Sequence, residues 1–282
     1  MAITEREQRD LEKANDSGRQ PVVFVHGLWL LASSWDRWRP LFEERGYTTL
    51  APGWPDDPET VAEAHQHPEV FAGKSIGQIT AHFAEIIKQL GRQPVVIGHS
   101  FGGLITQKLA GDGLAAGAVA IDPAPFRGVL SLPLSSLKAS FPVLSNPRNR
   151  SRAVALTFEQ FQYSFVNVVP ESEGRELYQT FAVPGPGVPL FQAAFANINP
   201  RTEASVHTAN PQRGPLLIIS GEKDHTVPPA IAQASYRRYK QPAAPTEITE
   251  IPNRGHSLVI DSGWPAVAEA ALAFLDRHNI RT

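Results

Sequence analysis

The sequence predicts an α/β fold with a doubly wound, mostly parallel sheet of about six strands. Three observations carry that expectation. Short, near-continuous apolar runs recur at residues 21–25, 47–50, 95–97, 116–121 and 215–220, as strands buried on both faces require. Segments with helical spacing lie between them, for example Ile76, Ile79, Phe83, Ile86, Ile87 and Leu90, which put one apolar face against a core. The run 95–97 also passes at once, through Gly98-His99-Ser100-Phe101-Gly102, into a second helical pattern.

Composition sets the outer bounds. With 282 residues, 42% of them hydrophobic, the chain can bury one large core. A net charge of −2 offers no electrostatic footprint for nucleic acid. The absence of cysteine excludes disulfides, thiolate metal sites and a cysteine nucleophile together. Residues 1–19 are too charged for a signal peptide, and no run approaches the ~20 apolar residues of a membrane span. A soluble, cytoplasmic protein is expected, with a small molecule as its partner; oligomeric state leaves no trace in the sequence.

Along the chain, residues 1–19 read as a polar tail or short surface helix. After the strand at 21–25, Trp35, Trp38, Leu41 and Phe42 mark an amphipathic helix that ends at Gly46. Residues 55–73 read as a loop with a helical turn. From 126 to 213 the pattern changes: prolines, short helical fragments and aromatics such as Phe161 and Phe165 crowd together, and no strand signal returns before 215. So long an insertion between two buried strands must lie outside the sheet, as a helical cap or lid. The core is then 20–125 and 214–282, completed by a helix from about 229 to 240, an alternating strand at 246–251 and a terminal helix at 265–277.

The chemistry gathers at the strand ends, where open parallel sheets carry their functional groups. Gly98-x-Ser100-x-Gly102 is the pattern of a sharp strand-to-helix turn that strains and exposes its serine. A serine hydroxyl needs an adjacent base, and histidine suits that role near neutral pH. Asp224 ends one later strand and His256 follows another, in the order Ser…Asp…His. Asp122, at the end of the strand after the elbow, is the weaker candidate acid and reads as a Pro-flanked turn residue.

On these residues the chain resembles the α/β-hydrolase superfamily, in its small esterase-like branch with a helical cap. The resemblance covers roughly residues 20–125 and 214–280, and the cap is matched by position alone. It implies Ser100 as nucleophile, Asp224 as orienting acid and His256 as general base. It implies an oxyanion hole from the backbone N–H groups of Leu28, after His26-Gly27, and of Phe101. No cofactor is implied. Members commonly carry two strands before the His-Gly strand, and here only a short polar segment precedes it, so the sheet is a shortened one.

The expected activity is hydrolysis of a carboxylic ester, or a related acyl compound, through an acyl-serine intermediate. Trp29, Trp54 and Phe126 suggest an apolar substrate pocket. The same triad would serve a hydroxynitrile lyase or a cofactor-free perhydrolase, and a small-molecule receptor can retain it. His99 reads as elbow filler with its ring turned away from the Ser100 hydroxyl. His65 and His67 have too few neighbouring ligands for a metal, and none is expected.

Overall fold

The computed structural model describes residues 3–239 and 244–281. Its centre is a six-stranded sheet in the order β2-β1-β3-β4-β7-β8. These strands are β1 (Pro21–Val25), β2 (Thr48–Leu50), β3 (Val95–His99), β4 (Gly117–Ile121), β7 (Leu216–Gly221) and β8 (Thr246–Ile251). Every neighbouring pair is parallel. Strands β5 (Ala153–Val154) and β6 (Gly185–Pro186) form a separate antiparallel pair inside the insertion. The expected doubly wound, six-stranded sheet is present.

Burial explains the strand composition. Every residue of β1, β3, β4 and β7 is buried, so β-branched and aliphatic side chains occupy both faces. At the edge, β8 reads Thr-Glu-Ile-Thr-Glu-Ile and is only partly buried, which fits its alternation. The helix Phe101–Gly111 packs on β3 and β4, Pro229–Tyr236 on β7 and β8, and Trp264–Arg277 on β7. Trp38 donates its indole N–H to the Val259 carbonyl at 2.9 Å, tying the helix Trp38–Glu44 to the loop before the terminal helix.

Two local expectations change, and at the N-terminus the helix alternative is the one present. The N-terminal segment is an ordered helix, Glu5–Ser17, closed by a reciprocal cap: Thr4 accepts from the Glu7 N–H and Glu7 from the Thr4 N–H. It is anchored because Leu11 and Ala14 are buried and because Glu7 meets His82 at 3.1 Å in the interior. The segment expected as one helix from Trp35 to Gly46 is split into a 3₁₀ turn, Ala32–Trp35, and a helix, Trp38–Glu44. Residues 55–73 hold a capped helix, Val61–Gln66, and a 3₁₀ turn, Pro68–Phe71. The tail end of the helix expected to reach 240 lies outside the described residues.

Between β4 and β7 the chain leaves the sheet. It forms helices Leu134–Leu144, Phe158–Ser164, Glu171–Phe181 and Gly187–Ala194. Among the described residues no helix is long and apolar enough to cross a membrane.

Candidate active site

Ser100 joins β3 to the helix Phe101–Gly111 with φ 57° and ψ −120°. Such a backbone costs a non-glycine residue about 1–3 kcal/mol, so its surroundings must enforce it. The Ser100 N–H donates to the Ile121 carbonyl at 2.9 Å, and its carbonyl accepts from Leu104 at 3.1 Å and Ala124 at 2.9 Å. The flanking glycines permit the close approach. A Cβ on Gly98 would collide with the Gly102 backbone, and one on Gly102 with the Val25 and His26 carbonyls.

The turn after β1 lies directly against the elbow. A Cβ on Gly27 would stand 2.8 Å from the Ser100 Cβ. Among the described residues, neither the Leu28 N–H nor the Phe101 N–H has an intramolecular acceptor. Trp29 holds a left-handed φ of 63° and is fastened from the insertion, accepting from the Val183 N–H at 3.0 Å and donating to Val154 at 2.9 Å. The imidazole of His26 is occupied in shaping this region, meeting the Gly27 carbonyl at 2.9 Å and the Trp54 N–H at 3.3 Å.

His256 lies beside the elbow, its ring 4.5 Å from that of His99. Its Nδ1 is 2.6 Å from Asp224 Oδ2, while Asp224 Oδ1 accepts from Thr226 at 2.6 Å and Val227 at 3.0 Å. A carboxylate on Nδ1 makes that nitrogen the donor and leaves the lone pair on Nε2. The His256 Nε2 atom is buried without a partner. Phe165, from the insertion, packs edge-on against the ring at 4.8 Å and accepts from the Ser257 N–H at 3.0 Å.

Asp122 lies behind this pair, its Oδ2 4.0 Å from His256 Nδ1. Its Oδ1 accepts from the Gly221 N–H at 2.7 Å, and its φ is 40°. Complete burial, reinforced by the Asp224 charge, pushes its carboxyl well above the usual range. His99 is neutral: burial, then the neighbouring His256, hold it well below its ordinary value. His99, Asp122 and His256 each offer a ligand atom within 4.8 Å of the others, a grouping that three distant positions do not announce in the sequence.

An apolar cavity opens onto Ser100. Trp29, Phe101, Leu132, Leu137, Leu190, Val227 and Ile231 line it, with hydroxyls from Ser136, Ser140 and Thr226 and no charged side chain. Of the three expected pocket residues, Trp29 is there and two are not. Trp54 stacks on His26 at 5.0 Å, held away by a turn whose Asp57 is paired with Lys74 and His26. Phe126 is buried edge-on against Tyr239 at 6.2 Å, and its neighbours Ala124 and Pro125 line the cavity instead.

The remaining histidines take separate partners. His65 meets the Ala182 carbonyl at 2.9 Å and His67 the Glu69 carboxylate at 3.3 Å. His225 meets the Tyr163 carbonyl at 3.0 Å. Sequence reasoning passed over Val227 and Ile231, although both follow closely on Asp224. It also missed Phe165, one aromatic among many, for which spacing gave no signal.

The comparisons with known proteins agree with this architecture. Among solved structures, the chain is similar to a pyrethroid hydrolase from Sphingobium faniae JZ-2, with a TM-score of 0.65 and 19% identity over 91% of this chain and 97% of that one. It is similar to a monoacylglycerol lipase from Paleococcus ferrophilus, with a TM-score of 0.63 and 19% identity over 92% and 94%. A polyneuridine aldehyde esterase follows with a TM-score of 0.61 and 16% identity over 90% and 98%. No curated protein matches by sequence. A family model covers residues 22–270, from β1 into the terminal helix, and by that match the chain belongs to the alpha/beta hydrolase family.

Proposed function

We propose that this protein is a serine hydrolase that cleaves a carboxylic ester, or a related acyl compound, through an acyl-Ser100 intermediate. The observation that carries the reading is the strained Ser100 on an elbow whose His99 ring lies 4.5 Å from His256, an imidazole whose Nδ1 is held by Asp224 at 2.6 Å. In this account His256 Nε2 takes the hydroxyl proton as Ser100 Oγ attacks the carbonyl carbon. The tetrahedral oxyanion rests on the Leu28 and Phe101 N–H groups, where loss of one donor typically costs about 10²–10³ in rate. Collapse expels the alcohol, which receives the proton from His256. Water, deprotonated by the same nitrogen, then releases the acid and restores Ser100.

Asp224 orients the imidazole and stabilises the imidazolium. The insertion acts as a cap, and the uncharged cavity it shares with the core takes the apolar acyl or alcohol part of the substrate. The structural neighbours named as hydrolase, lipase and esterase support the reaction class.

Turnover of p-nitrophenyl esters of increasing acyl length tests the proposal. Activity should peak at one length and fall by about 10⁴–10⁶ in Ser100→Ala and His256→Ala. Ester hydrolysis undiminished in Ser100→Ala would refute it. Cyanohydrin cleavage and peroxide-dependent halogenation, assayed alongside, separate the lyase and perhydrolase readings.

A further inference from the structure

The insertion carries an exposed apolar surface that extends beyond the lining of the Ser100 cavity. Leu130 is 74% exposed, Leu132 69%, Leu134 84%, Leu137 45% and Phe141 66%. Asn197 extends this surface, because its side chain accepts from the Gly128 N–H at 2.7 Å and donates to the Val129 carbonyl at 2.9 Å. Phe195 and Ile198, in the same segment as Asn197, are exposed as well. Single exposed leucines need no explanation, but a contiguous set does.

Two further observations say what covers it. The first is continuity with the cavity: Leu132 and Leu137 belong to both the exposed patch and the lining that reaches Ser100. The second is charge. Residues 123–158 contain no acidic side chain but five cations, Arg127, Lys138, Arg148, Arg150 and Arg152, and all five are exposed. Among the described residues none of the five forms an ion pair. Residues 182–202 also lack acids. The whole chain is nevertheless net negative at −2, so the imbalance is local. The insertion's acids sit elsewhere: Glu173 accepts from the Ser262 N–H at 2.7 Å and Glu171 pairs with Arg175.

Lys138 stacks over the Tyr163 ring at 4.0 Å and Arg127 donates to the Pro200 carbonyl at 3.1 Å, but no carboxylate neutralises either, and apolar side chains accompanied in sequence by such cations suit a surface that enters the boundary of an anionic bilayer. We propose that this face of the insertion docks on an anionic lipid bilayer, with the mouth of the Ser100 cavity turned toward the lipid. Leu130, Leu134 and Phe141 enter the headgroup boundary, and the cations meet lipid phosphates. An apolar substrate would then pass from lipid to cavity along Leu132 and Leu137 without crossing water. Docking itself does not depend on the Ser100 chemistry and is read without turnover.

Flotation of the full chain with vesicles tests it, using phosphatidylcholine alone and phosphatidylcholine mixed with phosphatidylglycerol. The protein should float with the mixed vesicles, far less with phosphatidylcholine alone, and be released by salt. A Leu134→Ser/Phe141→Ser variant should bind about tenfold more weakly. Arg148→Gln/Arg150→Gln/Arg152→Gln should lose about tenfold or more. Both should keep the wild-type melting temperature and their activity on a water-soluble ester. Failure to float with either vesicle, or flotation unchanged in both variants, would overturn the proposal. So would a dimer in solution that Leu134→Ser dissolves, since a second copy of the chain would then cover the patch.

Discussion

Two carboxyls near one imidazole pose a question of roles that burial and hydrogen bonding answer. Asp224 accepts two backbone N–H groups on one oxygen and His256 on the other, an acceptor-only pattern for an ionised group. Asp122, behind it, is raised well above the usual carboxylate range by burial and then by Asp224. Asp224→Asn should lower kcat by about 10⁴, because the amide would favour the wrong imidazole tautomer. Asp122, whose Oδ2 is 4.0 Å from His256 Nδ1 and whose charged form burial disfavours, should tolerate Asp122→Asn with kcat kept within about tenfold. Equal losses in ester turnover would contradict these roles. The linkage has a definite sign. With its folded value above 3.8, Asp122 binds its proton more tightly in the native state, so its contribution is complete below the unfolded value and is lost as pH rises through the folded one. Thermal melts of Asp122→Asn should therefore decline less than wild type as pH rises above 3.8. The order Ser100…Asp224…His256 could be read from strand ends. The upward shift of Asp122 could not, since it arises only when β4 and β7 become neighbours.

At the scale of elements, the elbow is fixed by what its glycines allow. Gly102 sits in the first turn of its helix with no room for a Cβ beneath the Val25 carbonyl. Gly102→Ala should destabilise the fold by about 1–3 kcal/mol, the usual range for overpacking. Gly91→Ala, with only an ordinary contact to Asn15 at 3.7 Å, should change stability by less than about 1 kcal/mol. Urea denaturation of the two variants checks the contrast; an equally mild effect at Gly102 would show that the turn can relax. Elements whose burial is periodic were legible for that reason. The strands β1, β3, β4 and β7 are apolar throughout because both faces are covered. The helix Ile76–Lys88 shows its buried face in its spacing. The N-terminal helix was harder to place, because its anchors are few: Leu11, Ala14 and the Glu7–His82 pair. Polar residues whose partner is remote in sequence carry no local signal.

Across the whole molecule, the insertion and the sheet complete each other. Tyr163, Ser164, Phe165 and Asn167 meet the loops that carry Asp224 and His256, through His225, Thr226, Ser257 and Lys223. Trp29 ties the turn after β1 to β5 and to Val183. The aromatics of the insertion are equally suited to packing among themselves, as Phe161 and Phe165 stack at 4.7 Å. Composition therefore could not tell Phe165, which touches His256, from Phe126, which is buried against Tyr239. The account rests on one covalent event, acylation of Ser100. Its most direct test is reaction with a fluorophosphonate, followed by intact-mass measurement and peptide mapping. The account predicts a single adduct on the peptide that carries Ser100, and none in Ser100→Ala. An adduct on another residue, or an unmodified Ser100 in a protein that still turns over esters, would contradict it.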